Sequence, residues 1–235
     1  MKSVRIAITL LMIRIKNNPL LRWGLFLSLC CSHSALAMPD WFEYDWRLRK
    51  QHDGIQVLTA KVPDSPFLAV KSTMIVNSMM PSLLSLALDT DTFPSWVRYC
   101  VAARVLHRES ETEFVQYTVS KPPWPLRQRD VVMLVNVRHQ ENGQVVVVGQ
   151  AVDEWLPEQP KHLRVKYINA TWYFTPILND SAAESGQTQI KIEHFLHADP
   201  AGVVPPWLSN KLMLDTPIKT LMKMRENLQP KVDIE

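Results

Sequence analysis

A chain of 235 residues, 46% hydrophobic and 21% charged, suits one folded domain with a sizeable core. Five basic residues of its formal net charge of +3 lie in the first 37 positions, and without them the charge falls to −2. That balance, with no basic run interleaved with aromatics, excludes the electrostatic footprint of a nucleic-acid binder.

Lys2, Arg5, Arg14, Lys16 and Arg22 surround or precede an apolar run from Trp23 to Cys31, and Ala35-Leu36-Ala37 supplies a small-x-small cleavage pattern. Residues 1–37 therefore read as a secretory signal cleaved before Met38, with the mature domain spanning 38–235 and a periplasmic destination. A start at Met12 would give a more ordinary signal length. The competing reading is an uncleaved N-terminal membrane anchor, although each apolar run is shorter than the roughly 20 residues of a span. Leu29, where a small residue would precede a lipidated Cys30, argues against a lipoprotein. Cleavage leaves Cys100 as the last of three cysteines, so no internal disulfide is expected and its thiol reads as a small buried hydrophobe.

Along the mature chain, Trp41, Tyr44 and Leu48 fall at helical spacing behind a capping Asp40, predicting a short helix that ends near Asp53-Gly54. Residues 55–62 and 67–77 are strand-like around the Pro63-Asp64-Ser65-Pro66 turn. Residues 81–88 open with proline and predict a short helix, followed by a further helical turn or loop over 89–94. Strands are then predicted over 98–107, 113–120, 130–139, 144–153, 163–176 and 187–197 from their β-branched and aromatic content. Asn142-Gly143 predicts a tight type I′ hairpin. Short polar turns in place of helical crossovers predict an antiparallel sheet. Residues 179–187 read as a solvated turn. Residues 153–162, which carry Trp155, Leu156, Pro157 and Pro160, form an apolar, proline-stiffened loop expected to close over the core or to plug a strand end.

The closing segment is the one long helix. Trp207, Leu214, Ile218, Leu221 and Leu228 share a face that Leu208, Leu212 and Met222 widen, and Pro217 is expected to kink the helix or split it near Asp215. The chain thus reads as α+β, with one sheet holding one helix.

Four motifs then carry a family resemblance. Pro123-Trp124-Pro125-Leu126-Arg127-Gln128-Arg129-Asp130 resembles the Pro-aromatic-Pro…Arg-Asp signature of START (StAR-related lipid-transfer) domains. Leu156-Pro157-Glu158 with Leu163-Arg164-Val165, Trp172-Tyr173-Phe174-Thr175-Pro176, and Asp199-Pro200-Ala201-Gly202 with Pro206-Trp207-Leu208 and Asn210 follow in the family's order. The resemblance implies a helix-grip fold: a curved antiparallel sheet wrapped around the C-terminal helix, enclosing a tunnel for one lipid. It also implies that residues 153–162 and the closing helix gate that tunnel. Ala170 and Ala201 stand where the family often has glycine. Sterol-binding members bury an acid–base pair; the matching positions here are Gln116 and Val135, which argues against a sterol preference.

The expected lining comprises Gln116, Val135, Val137, Val146, Val148, Tyr167, Ile190 and Ile192 of the strands, with Leu214 and Ile218 of the helix. The expected gate residues are Trp155, Leu156, Trp207 and Leu208. The methionines lend the core plasticity. No glycine-rich phosphate loop, nucleophile elbow or Cys-x-x-Cys occurs. His194 and His197, three apart on a strand, should point to opposite faces and share no metal. Arg129 and Asp130 read as a structural ion pair or turn cap. The expected function is binding, and transfer or sequestration, of a phospholipid, fatty acid or related lipid. The expected chain is monomeric, touches a membrane surface transiently, and takes no cofactor, metal or nucleic acid. The alternative is a cyclase- or hydrolase-like helix-grip enzyme acting through Arg104, His107, His139 or Asp130 turned into the cavity.

Overall fold

Asp53 and Gly54 determine how the domain begins. Both have positive φ, 48° and 72°, as a two-residue type I′ turn requires. The turn folds β1 (Arg47–His52) onto β2 (Ile55–Ala60), with His52 opposite Ile55. The predicted opening helix is therefore corrected: it shrinks to one 3₁₀ turn, Trp41–Glu43, capped by the Asp40 carboxylate accepting from the Phe42 N–H. So short a helix is marginal without tertiary support, and the contacts here favour an extended chain instead. Trp41 is buried, stacks on Phe195 at 5.6 Å and donates to Thr171 Oγ1 at 3.0 Å, while Trp46 donates to the Trp41 carbonyl at 2.7 Å.

The computed structural model describes residues 40–177 and 188–229, excepting the side chains of Pro206 and Asn210. The expected leader and the polar turn at 179–187 lie outside the described residues. After β2 come β3 (Ala69–Ser78), α1 (Met80–Leu88), a 3₁₀ turn (Thr90–Thr92) and α2 (Phe93–Trp96). Strands β4 (Cys100–Arg108), β5 (Glu113–Ser120), β6 (Arg129–His139), β7 (Val145–Ala151), β8 (Leu163–Arg164), β9 (Ile168–Ile177) and β10 (Thr188–Ala198) precede α3 (Pro206–Leu228). The strands form one ten-stranded sheet in the order β1-β2-β3-β10-β9-β7-β6-β5-β4, antiparallel throughout except that β8 pairs with β6 in parallel. This pairing splits the strand predicted over 163–176: Leu163 and Arg164 lie beside Arg129 and Asp130, and the chain resumes as β9 four residues later.

Asn142-Gly143 does join two strands, but not as a type I′ turn. Gly143 alone has positive φ, 78°; its N–H donates to the Gln140 carbonyl at 3.0 Å, and the Gln140 N–H donates to the Gln144 carbonyl at 2.8 Å. This is a three-residue loop with a left-handed glycine, and Asn142 Oδ1 accepts from the Gln144 N–H to hold it.

Helix α3 runs unbroken from Pro206 to Leu228 with Pro217 inside it, so the split expected near Asp215 does not occur. Its Ile218, Leu221 and Met224 are buried in the main core with β2, β3 and β10 residues such as Val57, Met74 and Ile192. The result is an α+β helix-grip arrangement, an antiparallel sheet holding the C-terminal helix.

Candidate functional site: a cavity between sheet and helix

Between sheet and helix lies a cavity of about 270 Å³. The period-2 geometry of strands selects its lining. On β5 and β6 the inward side chains are Phe114, Gln116, Met133 and Val135; on β7 they are Val147 and the bare Gly149. Strand β9 gives Ala170, Trp172 and Phe174, β10 gives His194 and Leu196, and β3 gives Ser72. Phe93 and Trp96 of α2 and Pro217, Thr220 and Leu221 of α3 complete the wall. Proline 217 leaves the carbonyl one turn back without its usual helical partner, so the departure from a regular helix falls where α3 borders the cavity.

An aromatic wall dominates one side. Trp172 stacks on His194 at 3.8 Å between ring centroids and on Phe174 at 6.0 Å, and meets Trp96 edge-on at 6.3 Å. Burial holds the His194 imidazole neutral, pushing its pKa from 6.5 down to about 3. Burial also raises the Cys100 thiol, consistent with an inert buried cysteine. Among the described lining residues Arg98 is the one charged side chain; its guanidinium lies 4.4 Å from the Tyr99 ring, and its backbone N–H donates to Thr220 Oγ1 at 3.1 Å.

Of the lining expected from sequence, the structure brings Gln116 and Val135 to the cavity. Val137, Ile190, Ile192 and Ile218 are buried in the apolar core around it, with Leu214 packed against that core. Val146 and Val148 lie on the other face of β7 from Val147 and Gly149, so the strand presents the opposite parity from the one expected. Tyr167 stands in the β8–β9 connection, 44% exposed, with its hydroxyl 3.2 Å from His197 Nδ1. His194 and His197 do point apart: the first faces the cavity and the second pairs with Ser65 and Tyr167.

The four expected gate residues are not among the cavity lining. Trp155 stacks on His107 at 4.9 Å. Leu156 packs on a second cluster formed by Val115, Tyr117, Val119 and Val132. The loop therefore covers an apolar patch centred on β5 and β6 that meets the cavity at Val119. Leu208 is buried, and Trp207 is 66% exposed.

Arg129 and Asp130 do not pair with each other, since strand neighbours point to opposite faces. Arg129 donates to the carbonyls of Arg127 and Pro200, and Asp130 binds Arg164. His107 contacts Glu109, His139 is exposed, and Arg104 lies 5.4 Å from the Tyr117 ring. With Asp130 engaged by Arg164, none of the four groups that the enzymatic alternative requires lines the cavity.

Sequence reasoning passed over Ser72, Trp172 and His194 as site residues. Their signal lies in the alternation: Val70, Ser72, Met74 and Val76, and Ile190, Ile192, His194 and Leu196, are each a row on one face of a strand interrupted by one polar side chain.

A family model described as the START domain matches residues 28–232. An uncharacterised protein of Pseudomonas aeruginosa is 26% identical over 181 residues, covering 77% of this chain and 85% of that protein. The phosphatidylcholine transfer protein of Mus musculus is 25% identical over 171 residues, covering 71% and 75%. The crystal structure of a STAR-related lipid transfer protein fragment from Xanthomonas axonopodis superposes with a TM-score of 0.69 at 24% identity, covering 79% of this chain and 99% of that one. The sheet, its closing helix and the extent of the family match together place this chain in the START domain family.

Proposed function

We propose that the protein binds a single hydrophobic ligand in this cavity, a phospholipid, fatty acid or related lipid, and sequesters or carries it. The observation that supports this reading most directly is an apolar cavity of about 270 Å³, walled by α3, in a START-family chain. Pockets for small ligands usually run to roughly 300–1,000 Å³. The space as it stands therefore suits one acyl chain, and a two-chain lipid requires part of the wall to yield. Burial of about ten methylenes contributes about 8 kcal/mol, the scale of a micromolar Kd before association costs. No reactive group is needed for that affinity. The basic and apolar leader supports export to the periplasm, where a monomer touching a membrane surface transiently would exchange its ligand.

Native mass spectrometry of protein purified from the periplasm tests the reading: a co-purifying lipid of one chain type is the expected result. A protein that arrives empty and ignores added lipid analogues would overturn it, and recovery of the protein from the cytoplasmic fraction would overturn its assigned location.

A further inference from the structure

Two polar side chains of the cavity wall stand opposite each other across a strand pairing. Ser72 is fully buried on β3, and its Oγ makes no hydrogen bond. Directly across the β3–β10 pairing stands His194, which also faces the cavity. Its side chain is partly buried, and desolvation lowers the pKa of its imidazole. Next along the same row, Trp172 opposes His194 across β9–β10 and covers one face of the imidazole, at 3.8 Å and an interplanar angle of 16°. Stacking occupies the ring's face and leaves its edge, where both nitrogens lie, free to hydrogen-bond. Folding rarely leaves a buried hydroxyl unsatisfied, and one set opposite an imidazole inside a ligand-sized space is best explained by a third group that bonds to both.

The chemistry of that group follows from what surrounds it. Ser Oγ gives and accepts one hydrogen bond, and a neutral imidazole does the same through its two nitrogens. An alcohol, which both donates and accepts, can therefore bridge the two. A carboxylate or phosphate can only accept, and it would bring a charge into an aromatic wall formed by Trp96, Trp172 and Phe174. No carboxylate or lysine among the described residues lines the cavity, and Arg98 is held over Tyr99. Burying an ion without a counter-charge is far more costly than burying a hydrogen-bonded neutral group.

We propose that Ser72 and His194 form a hydrogen-bonding site inside the cavity that receives an uncharged hydroxyl, and that the preferred ligand is an alcohol-bearing lipid whose polar group enters the protein. This rests on the reading of the cavity as a lipid site and specifies which end of the lipid goes in.

Isothermal titration of the purified chain with tetradecanol, its methyl ether and tetradecanoate tests it. The alcohol should bind about tenfold more tightly than the ether, the scale of one well-made neutral hydrogen bond, and more tightly than the carboxylate. In His194→Phe, which keeps a ring to stack on Trp172, and in Ser72→Ala, alcohol and ether should bind alike. Imidazole-nitrogen NMR of the wild type should show the His194 resonances shifting with the alcohol and not with the ether. Equal binding of alcohol and ether by the wild type, a preference for the carboxylate, or an alcohol preference that survives His194→Phe would overturn the site while leaving the lipid cavity standing. Should none of the three compounds bind, the lipid reading itself fails, and this proposal with it. The wild-type comparison does not depend on either variant folding.

Discussion

Asp130 and Arg164, brought together by the parallel pairing of β8 with β6, form a two-pronged ion pair: Arg164 Nε donates to Asp130 Oδ1 and Nη2 to Oδ2, both at 3.1 Å. Both side chains are almost wholly buried. Each makes further hydrogen bonds as well. Tyr117 donates its hydroxyl to Asp130 Oδ2 at 3.0 Å, and Arg164 donates to the carbonyls of Leu156 and Pro157. One guanidinium thus ties the Trp155-bearing loop to the sheet. Burial first, and then the bond to Asp130, push the Tyr117 phenol up to about 12.

Arg164→Met should destabilise the protein by about 3–5 kcal/mol, because it leaves the Asp130 carboxylate buried without its counter-charge. It should also free the loop, so that Trp155 loses its stacking on His107 and its fluorescence shifts to longer wavelength before global unfolding. Urea titration read by circular dichroism and by fluorescence checks both effects. Because two apolar replacements of similar volume remove the penalty, Asp130→Leu added to Arg164→Met should recover much of the loss. No recovery would mean that the pair matters for geometry alone.

Acid should weaken the fold through His194. In the unfolded chain its pKa is near 6.5, and in the folded protein burial lowers it to about 3. Above pH 6.5 both states are neutral there and the group has no influence. Between pH 6.5 and 3 the unfolded state takes the proton first, so stability falls by about 1.4 kcal/mol per pH unit. By pH 5 the loss from this residue alone is about 2 kcal/mol. His197, also lowered by burial, acts in the same direction, so the clean measurement is a difference. Urea midpoints at pH 7 and pH 5 for the wild type and His194→Phe should diverge by that amount, and identical pH slopes would mean that the imidazole is solvated.

The sheet and closing helix were legible because alternation and amphipathic spacing are encoded locally. The cavity face was not, and β7 shows why. Val145, Val146, Val147 and Val148 are four identical buried side chains in succession, so period 2 leaves no parity to read. The glycine at 149, which opens the cavity floor, is the residue that sets the face. The opening segment misled for a different reason: Trp41 and Tyr44 sit three apart, yet Trp41 is drawn to Phe195 on the outer face of β10, with Tyr44 edge-on against Trp41, and Phe195 is a distant partner that no local pattern announces. The polar interruptions at Ser72 and His194 were visible but had no meaning until the register placed them opposite each other.

Ala201 takes φ 58° in the turn before α3, beside Gly202 at 68°. A Cβ in that left-handed region costs about 1–2 kcal/mol, offset in part by the greater chain entropy that glycine loses. Ala201→Gly should therefore raise stability by about 0.5–1 kcal/mol. Gly202→Ala should lower it by at least as much: besides the φ strain, its new Cβ would lie 2.9 Å from Leu163 Cδ1, on the strand that carries Arg164. Thermal melts of the two variants should bracket the wild type, and a destabilised Ala201→Gly would show that the Asp199 carboxylate, which accepts from the Ala201 N–H at 2.9 Å, already supports the turn fully.

Filling the cavity should block ligand uptake while sparing the fold. Gly149 faces the space, and a Cβ added there meets Met133 Sδ at 3.6 Å, an ordinary contact with a flexible side chain. Across the β7–β9 pairing, Ala170 faces the same space. Gly149→Val and Ala170→Phe should each weaken binding of a fluorescent fatty acid at least tenfold, at a stability cost of about 1–3 kcal/mol from overpacking. Val146→Trp, on the opposite face of β7, should leave affinity unchanged whatever it does to stability. The contrast between Gly149 and Val146 is the critical measurement: loss of binding at Val146 with retention at Gly149 would place the ligand on the other side of the sheet, and retention at both would mean that the lipid does not enter this cavity.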